Sequence, residues 1–338
     1  MKKERAPQGL IARVGDCCMW FGRYVERAES TARELQATLS LALDGELTPR
    51  QCWLPLVVVA GEQAAFRERN GDAALDDGDL VQSWLVWDES CAVSLLRSVG
   101  AARENARSIR DVLSAECWEA INELYLWLGS DRARADWIDD RDGFYDHVRG
   151  ATQLCLGLLR STMLHDTTLD FMWLGMLVER VGQTARLLDV HHHAFAAPGA
   201  DAQPHQVIET TVWMALLRAL SGVEPFMRAH SGRVTGEAVA GFLVGEARFP
   251  RSIAYCVHSA YQRLCAIRPP SDHDVPGGEA LERLRALDAW VATSPWLAGE
   301  PLHDKLTHVV DETAAICDTI SRELFGTGRV VSMSQVES

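Results

Sequence analysis

Glu26, Arg27 and Arg33 stand in the stretch MWFGRYVERAESTARELQ (Met19–Gln36). Glu179, Arg180 and Arg186 hold the same places in MWLGMLVERVGQTARLLD (Met172–Asp189). Carboxylates and guanidiniums at helical spacing can do two kinds of chemistry. A glutamate whose pKa is set by burial and by neighbouring arginines can act as a general base. Arginines can grip a carboxylate or phosphate through paired N–H donors. Glu26 and Glu179 are therefore the candidate bases, and Arg27, Arg33, Arg180 and Arg186 the candidate anion holders.

The two segments agree at ten of eighteen positions without a gap, at a constant offset of 153 (179 − 26 and 186 − 33). Projected at 100° per residue, Phe21, Val25, Ala28, Ala32 and Leu35 share an apolar face, while Glu26, Glu29, Ser30 and Arg33 share another. In the second copy Arg23, Tyr24 and Glu29 give way to Met176, Leu177 and Gly182. That helix is apolar nearly all round, which predicts deep burial. Its charges persist nonetheless, and buried charges need partners. The expectation is a central polar cluster of Glu26, Arg33, Glu179 and Arg186 flanked by Arg27 and Arg180, with Gly22 admitting a close backbone. Glu179 and Arg186 stand about 10.5 Å apart along their axis, suited to bracketing a ligand or to pairing with another helix. Reciprocal Glu–Arg bridges that fix register without any ligand fit the same pattern. Trp20 and Trp173 read as core packing.

Two further clusters could bind anions. ARENARSIRD (Ala102–Asp111) sets Arg103, Arg107 and Arg110 on one helical stripe, with Asn105 off it. The alternative is a solvated face braced by Glu104 and Asp111. In EARFPRS (Glu246–Ser252) the proline breaks one helix, and Arg251-Ser252 opens the next, a natural anion site and equally a well-capped helix start. Metal ligation is not expected. HHH (His191–His193) sits where a helix C-terminus favours histidine, and Asp304, His308 and Glu312 lack a partner set. No metalloprotease, P-loop, nucleophile-elbow or dinucleotide motif is present, so no cofactor is expected.

These side chains must be positioned by helices. Apolar residues recur at three-and-four spacing along most of the chain, as in Ala101–Gly129. Loops are expected at 70–79, 138–144, 196–204 and 268–278. LPLVVVA (Leu54–Ala60) is the one candidate strand, although Pro55 suits the first turn of a helix. A fainter echo at offset 158 relates WLVWDESCAVSLL (Trp84–Leu96) to FLVGEARFPRSIA (Phe242–Ala254). The fold class expected is all-α: an internally duplicated helical bundle in one domain over residues 1–325. Its related halves, about 8–165 and 166–325, pack about a pseudo-twofold axis, with a flexible tail at 326–338.

The chain of 338 residues carries a net charge of −14, which argues against nucleic acid as a partner. No apolar run approaches membrane-spanning length, and the nine cysteines show no C-x-x-C pair. A cytoplasmic protein with reduced thiols is expected.

Taken in order, WFGRYVERAESTAR, ARENARSIRD with WEAINELY behind it, WLGMLVERVGQTARLLD and FPRSI resemble the bacterial alpha-E family over roughly Ile11 to Leu324. Cys17-Cys18 departs from the larger or apolar pair more usual there. The resemblance carries over motif residues Trp20, Arg23, Tyr24, Glu26, Arg27, Glu29 and Arg33. It continues through Arg103, Asn105, Arg107 and Arg110, then Glu179, Arg180 and Arg186, and ends at Arg251 and Ser252. Members of that family sit beside circularly permuted ATP-grasp ligase-like proteins and often beside a transglutaminase-like peptidase. This implies a component of peptide or amide-bond synthesis or modification, whose Glu/Arg-lined pocket binds or processes a peptide or aminoacyl intermediate. The other reading is a non-catalytic helical scaffold that binds the ligase.

Overall fold

A computed structural model describes residues 8–44, 47–196, 204–230, 232–271 and 276–326. Its described residues are all-helical, without a strand. Two long helices dominate: α1 (Gln8–Leu43), about 54 Å long, and α9 (Thr167–Ala196), about 45 Å. After α1 come α2 (Pro49–Val59), α3 (Gln63–Asn70), α4 (Gly78–Trp87), α5 (Leu95–Ser108), α6 (Ala115–Leu128), α7 (Asp131–Asp139) and α8 (Arg141–Thr162). After α9 come α10 (Pro204–Ala219), α11 (Val223–Ala229), α12 (Gly236–Gly245), α13 (Ile253–Ile267), α14 (Gly278–Thr293) and α15 (Leu302–Ile320).

Helix α1 lies against α9 and packs on α5 and α8, while α9 packs on α13 and α15. The apolar face read from the sequence is the core face: Phe21, Val25, Ala28, Ala32 and Leu35 are all at most 1% exposed. The flanking helices begin with ordinary caps. Ser94 and Ser252 accept hydrogen bonds from the third backbone N–H of α5 and α13, and Asp77 and Thr235 do the same for α4 and α12. Aromatic contacts repeat as well. Phe66 meets Trp84 edge-on at 5.7 Å, and Phe226 meets Phe242 edge-on at 5.5 Å. The Trp53 ring lies against Gly78, and the Trp213 ring against Gly236.

Several local expectations change. Ala101–Gly129 is two helices, because the chain turns at Ile109–Leu113 and Ser114 caps a new start. Leu54–Ala60 is helical, yet Pro49, with Thr48 and Gln51 in a capping box, forms the first turn, and Pro55 lies inside α2. The 70–79 loop holds a short 3-10 turn, Asp72–Asp76. Only residue 140 separates α7 from α8. Most of the loop expected at 196–204, and the tail beyond Gly326, lie outside the described residues.

Candidate functional site

The closest approach of α1 and α9 is made by glycines. A Cβ on Gly22 would stand 2.0 Å from the Met172 carbonyl oxygen, and one on Gly175 would stand 2.0 Å from that of Met19. Only glycine allows this contact. It brings the polar faces just C-terminal to the crossing, Glu26-Arg27 and Glu179-Arg180, within reach of each other.

There the ion pairs cross over. Arg180 of α9 holds Glu26 of α1 with two bonds, Nε to Oε1 at 2.9 Å and Nη2 to Oε2 at 2.5 Å. Arg27 of α1 holds Glu179 of α9 at 2.6 Å, and Arg23 holds the other oxygen of Glu179 at 2.9 Å. The Arg23 guanidinium lies 4.5 Å from the centre of the Trp20 ring, and Arg27 lies 5.3 Å from that of Tyr24. Trp20 therefore backs a guanidinium as well as packing, while Trp173 is half-buried against the core.

The segment before α13 adds a third strut. Arg251 donates to Glu26 at 2.9 Å and to Glu29, and Arg33 donates to Glu29 at 2.7 Å. Main-chain oxygens complete the frame. The Pro250 carbonyl accepts from Arg180 at 3.1 Å, and the Arg251 carbonyl accepts from the Thr184 hydroxyl at 2.9 Å. Glu26, Glu29 and Glu179 are at most 5% exposed.

Burial alone would raise the Glu29 and Glu179 carboxyls, but the guanidiniums overcome it. Arg27 and Arg23 hold Glu179 well below the usual range, and Arg251 and Arg33 bring Glu29 down to about 2. Such carboxylates are weak proton acceptors at neutral pH. The charge does not balance, however. Six guanidiniums (Arg23, Arg27, Arg33, Arg180, Arg186 and Arg251) stand against four carboxyls (Glu26, Glu29, Glu34 and Glu179), an excess of two even with every carboxyl ionised. Arg186 bonds a main-chain oxygen, that of Val59, at 3.1 Å. Burial lowers the pKa of Arg33 and Arg186, because desolvation outweighs their carboxylates. Arg23 and Arg180 go the other way, raised by Glu179 and Glu26 against burial, so the under-compensated positive charge sits at Arg33 and Arg186.

That charge reaches the surface at Arg33. A cleft of about 160 Å³ opens there, lined by Arg33, Arg149 and Arg218 with Gln36, Ser40 and Asp142. Arg149 donates to Gln36, and its Nε is buried without a partner. Arg33 also donates to the Ser221 hydroxyl, whose residue has φ +52°, a left-handed conformation costly for serine. Arg33 pairs with Glu29, Arg149 pairs with Asp146 at 3.4 Å, and Asp142 stands on the rim, so three carboxylates stand beside the three arginines. A cluster of this kind can grip one further carboxylate or phosphate.

The structure brings the expected cluster of Glu26, Arg33, Glu179 and Arg186, flanked by Arg27 and Arg180, together, and adds Arg23 and Arg251, which the sequence reading does not place in it. Ser252 is the α13 cap and also donates to the Glu246 carbonyl at 2.6 Å. The arginine stripe stands apart. Arg103 bonds Asn122 and Glu104, Arg107 bonds Glu104, and Arg103 and Arg110 cover the Trp118 ring of α6. Asn105 donates to the Ala101 carbonyl of its own helix. Glu34, Arg149, Arg218 and Ser221 were missed. Glu34 stands in the repeated stretch, but the second copy has Leu187 there; Arg149, Arg218 and Ser221 lie outside it, and only folding brings α8 and the α10–α11 turn to α1. Among the described residues no group of three or more His, Cys, Asp or Glu is placed to hold a metal. No helix there is long and apolar enough to cross a membrane.

Residues 10–325 match Alpha-E, described as a predicted alpha-helical domain with a conserved ER motif. The chain belongs to the Alpha-E family. In this Alpha-E chain, Glu-Arg stands at 26–27 and 179–180, and these two dipeptides exchange partners across the helix crossing. Relatives include an uncharacterized protein of Mycobacterium bovis and two of Mycobacterium tuberculosis. Each is 25% identical over 258 residues, covering 72% of this chain and 28% of the relative. The Alpha-E chain thus spans little more than a quarter of the length of those relatives. No solved structure matches it.

Proposed function

We propose that this Alpha-E chain is a component of an ATP-grasp-associated system that makes or modifies amide bonds. In this reading it holds the carboxylate, or the acyl phosphate made from it, of a peptide or aminoacyl intermediate. The observation that carries this is the excess of guanidinium over carboxylate, opening at the Arg33–Arg149–Arg218 cleft. Glu26 and Glu179 then serve as counter-ions that aim the arginines, rather than as the bases their sequence positions suggested. The association with an ATP-grasp ligase-like partner, and with a transglutaminase-like peptidase, comes from the family resemblance.

Internal duplication belongs to the same proposal. Gly22–Met172 and Gly175–Met19 are one contact written twice at offset 153, as are Arg27–Glu179 and Arg180–Glu26. The paired caps and aromatic contacts repeat at offsets of 158 to 160. An approximate twofold axis through the crossing of α1 and α9 accounts for all of them.

The scaffold reading rests on a different fact: Glu26 and Glu179 each already have two arginine partners, so the cross-over can serve register alone. Titration calorimetry separates the two. A short peptide with a free C-terminus should bind saturably, its C-terminal amide should not, and Arg149→Gln with Arg218→Gln should weaken binding at least tenfold in a folded protein. Equal binding of acid and amide would remove the anion site. Co-purification with the ligase-like partner that survives those substitutions, without any peptide binding, would favour the scaffold.

A further inference from the structure

On an adjoining face of α1, a cavity of about 260 Å³ lies between α1, α2, α9 and α10. Its size is near the lower end for small-molecule pockets, ~300–1,000 Å³. The walls are aliphatic, with Leu41, Leu47, Leu56, Leu187 and Val212 among them. Glu34 interrupts them. It is 7% exposed, and its Oε1 is buried without a hydrogen bond. A polar atom left so costs about 1–3 kcal/mol, and in a native protein it calls for an explanation.

The charged neighbours look elsewhere. From α9, Arg186 is turned to the Val59 carbonyl, and the His191 ring bonds the Leu187 carbonyl at 2.8 Å. Ahead of α13, Arg251 is committed to Glu26 and Glu29. From α2, Arg50 lines the cavity but is tied to Asp72 at 2.6 Å, and Cys52 brings a thiol. Helix α10 lines it with Val212, Ala215 and Ala219. Burial pushes the Glu34 carboxyl up to about 8 against the pull of Arg186 and Arg251.

We propose that this cavity binds an aliphatic primary amine, its chain against the leucine walls and its ammonium group donating to Glu34. The occupant must supply a donor, because Glu34 is the one carboxyl among the described residues that line the cavity. An alkanoate would bring a second carboxylate to it, and an alcohol would forgo the charge-assisted bond that an ammonium makes. The protons balance simply. Below pH 8 the amine arrives as ammonium and Glu34 carries a proton, so forming the pair releases one proton to solvent. Affinity therefore rises with pH up to about 8, on the order of tenfold between pH 6.5 and 8.5.

The test is calorimetric titration of the full chain with hexylamine, hexan-1-ol and hexanoate at both pH values, in two buffers of different ionisation enthalpy. Hexylamine should bind saturably, more tightly at pH 8.5, with about one proton released at pH 6.5. Glu34→Gln should weaken it at least tenfold. Ala215→Phe, which fills the cavity and leaves Glu34 in place, should abolish it, and so carries the test if Glu34→Gln does not fold. Hexanoate or hexanol binding as tightly as hexylamine would overturn the proposal. So would undiminished binding to either folded variant, or no saturable binding of hexylamine. Amine binding here stands or falls apart from anion binding in the Arg33 cleft.

Discussion

Glu26 accepts from Arg180, Arg251 and Ser30, so its removal leaves two guanidiniums short of charge in a dry place. Breaking a buried pair in this way costs about 3–5 kcal/mol. Glu26→Gln should lower the free energy of urea unfolding by that amount, and a loss under about 1 kcal/mol would mean that solvent reaches the pair. Glu34 has the opposite character. Its folded pKa is raised, so the folded state binds its proton more tightly than the unfolded chain does. Its contribution is whole at low pH and is lost as pH climbs from about 4.5 to about 8. Glu34→Gln should therefore gain melting temperature relative to the parent as pH rises through that window, with little difference near pH 4. A constant difference from pH 4 to 9 would contradict the raised pKa. Glu29 works the other way: it adds stability above the unfolded carboxyl pKa and loses it as pH falls toward about 2.

The element that matters most is the crossing of α1 and α9. Gly22→Ala and Gly175→Ala each drive a methyl into a main-chain carbonyl of the opposite helix. Overpacking of this kind costs about 1–3 kcal/mol, and more where backbone must move. Both variants should unfold at lower urea, whereas Gly150→Ala, with open space around its Cβ, should match or exceed the parent. Equal midpoints for all three would place the helices farther apart than described.

The same crossing explains what the sequence could and could not convey. Periodicity is a local property, and it yielded the buried face of α1 and the gathering of Glu26, Glu179 and their arginines. The repeated Gly, Glu and Arg carried that signal because two copies must meet at one point. The break within Ala101–Gly129 was not legible because apolar spacing continues through the turn at Ile109–Leu113, and Ser114 is an unobtrusive cap. Arg251 was visible as a helix-start residue, but its carboxylate partners lie more than 220 positions away. Glu34, Arg149 and Arg218 acquire meaning only from the packing of α2, α8 and α10 around α1.

At the scale of the whole molecule, an acidic chain with a net charge of −14 encloses a cationic centre. Long-range repulsion should slow the approach of anionic peptides and be relieved by salt, while the buried arginines decide the affinity once docking is complete. Association of a free-acid peptide should therefore quicken between about 20 and 200 mM salt, with dissociation changing less; stopped-flow mixing reads both. A steep fall in association rate with salt would place the binding charge on the surface instead.

The central claim is that the two Glu-Arg dipeptides exchange partners across a buried helix crossing. A double-mutant cycle on Glu26→Gln and Arg180→Gln, read by urea unfolding, measures it directly. Residues in one buried network show coupling of about 0.5–3 kcal/mol, and the bidentate geometry of this pair predicts the upper part of that range. Two substitutions that add within about 0.5 kcal/mol would mean that Glu26 and Arg180 do not meet.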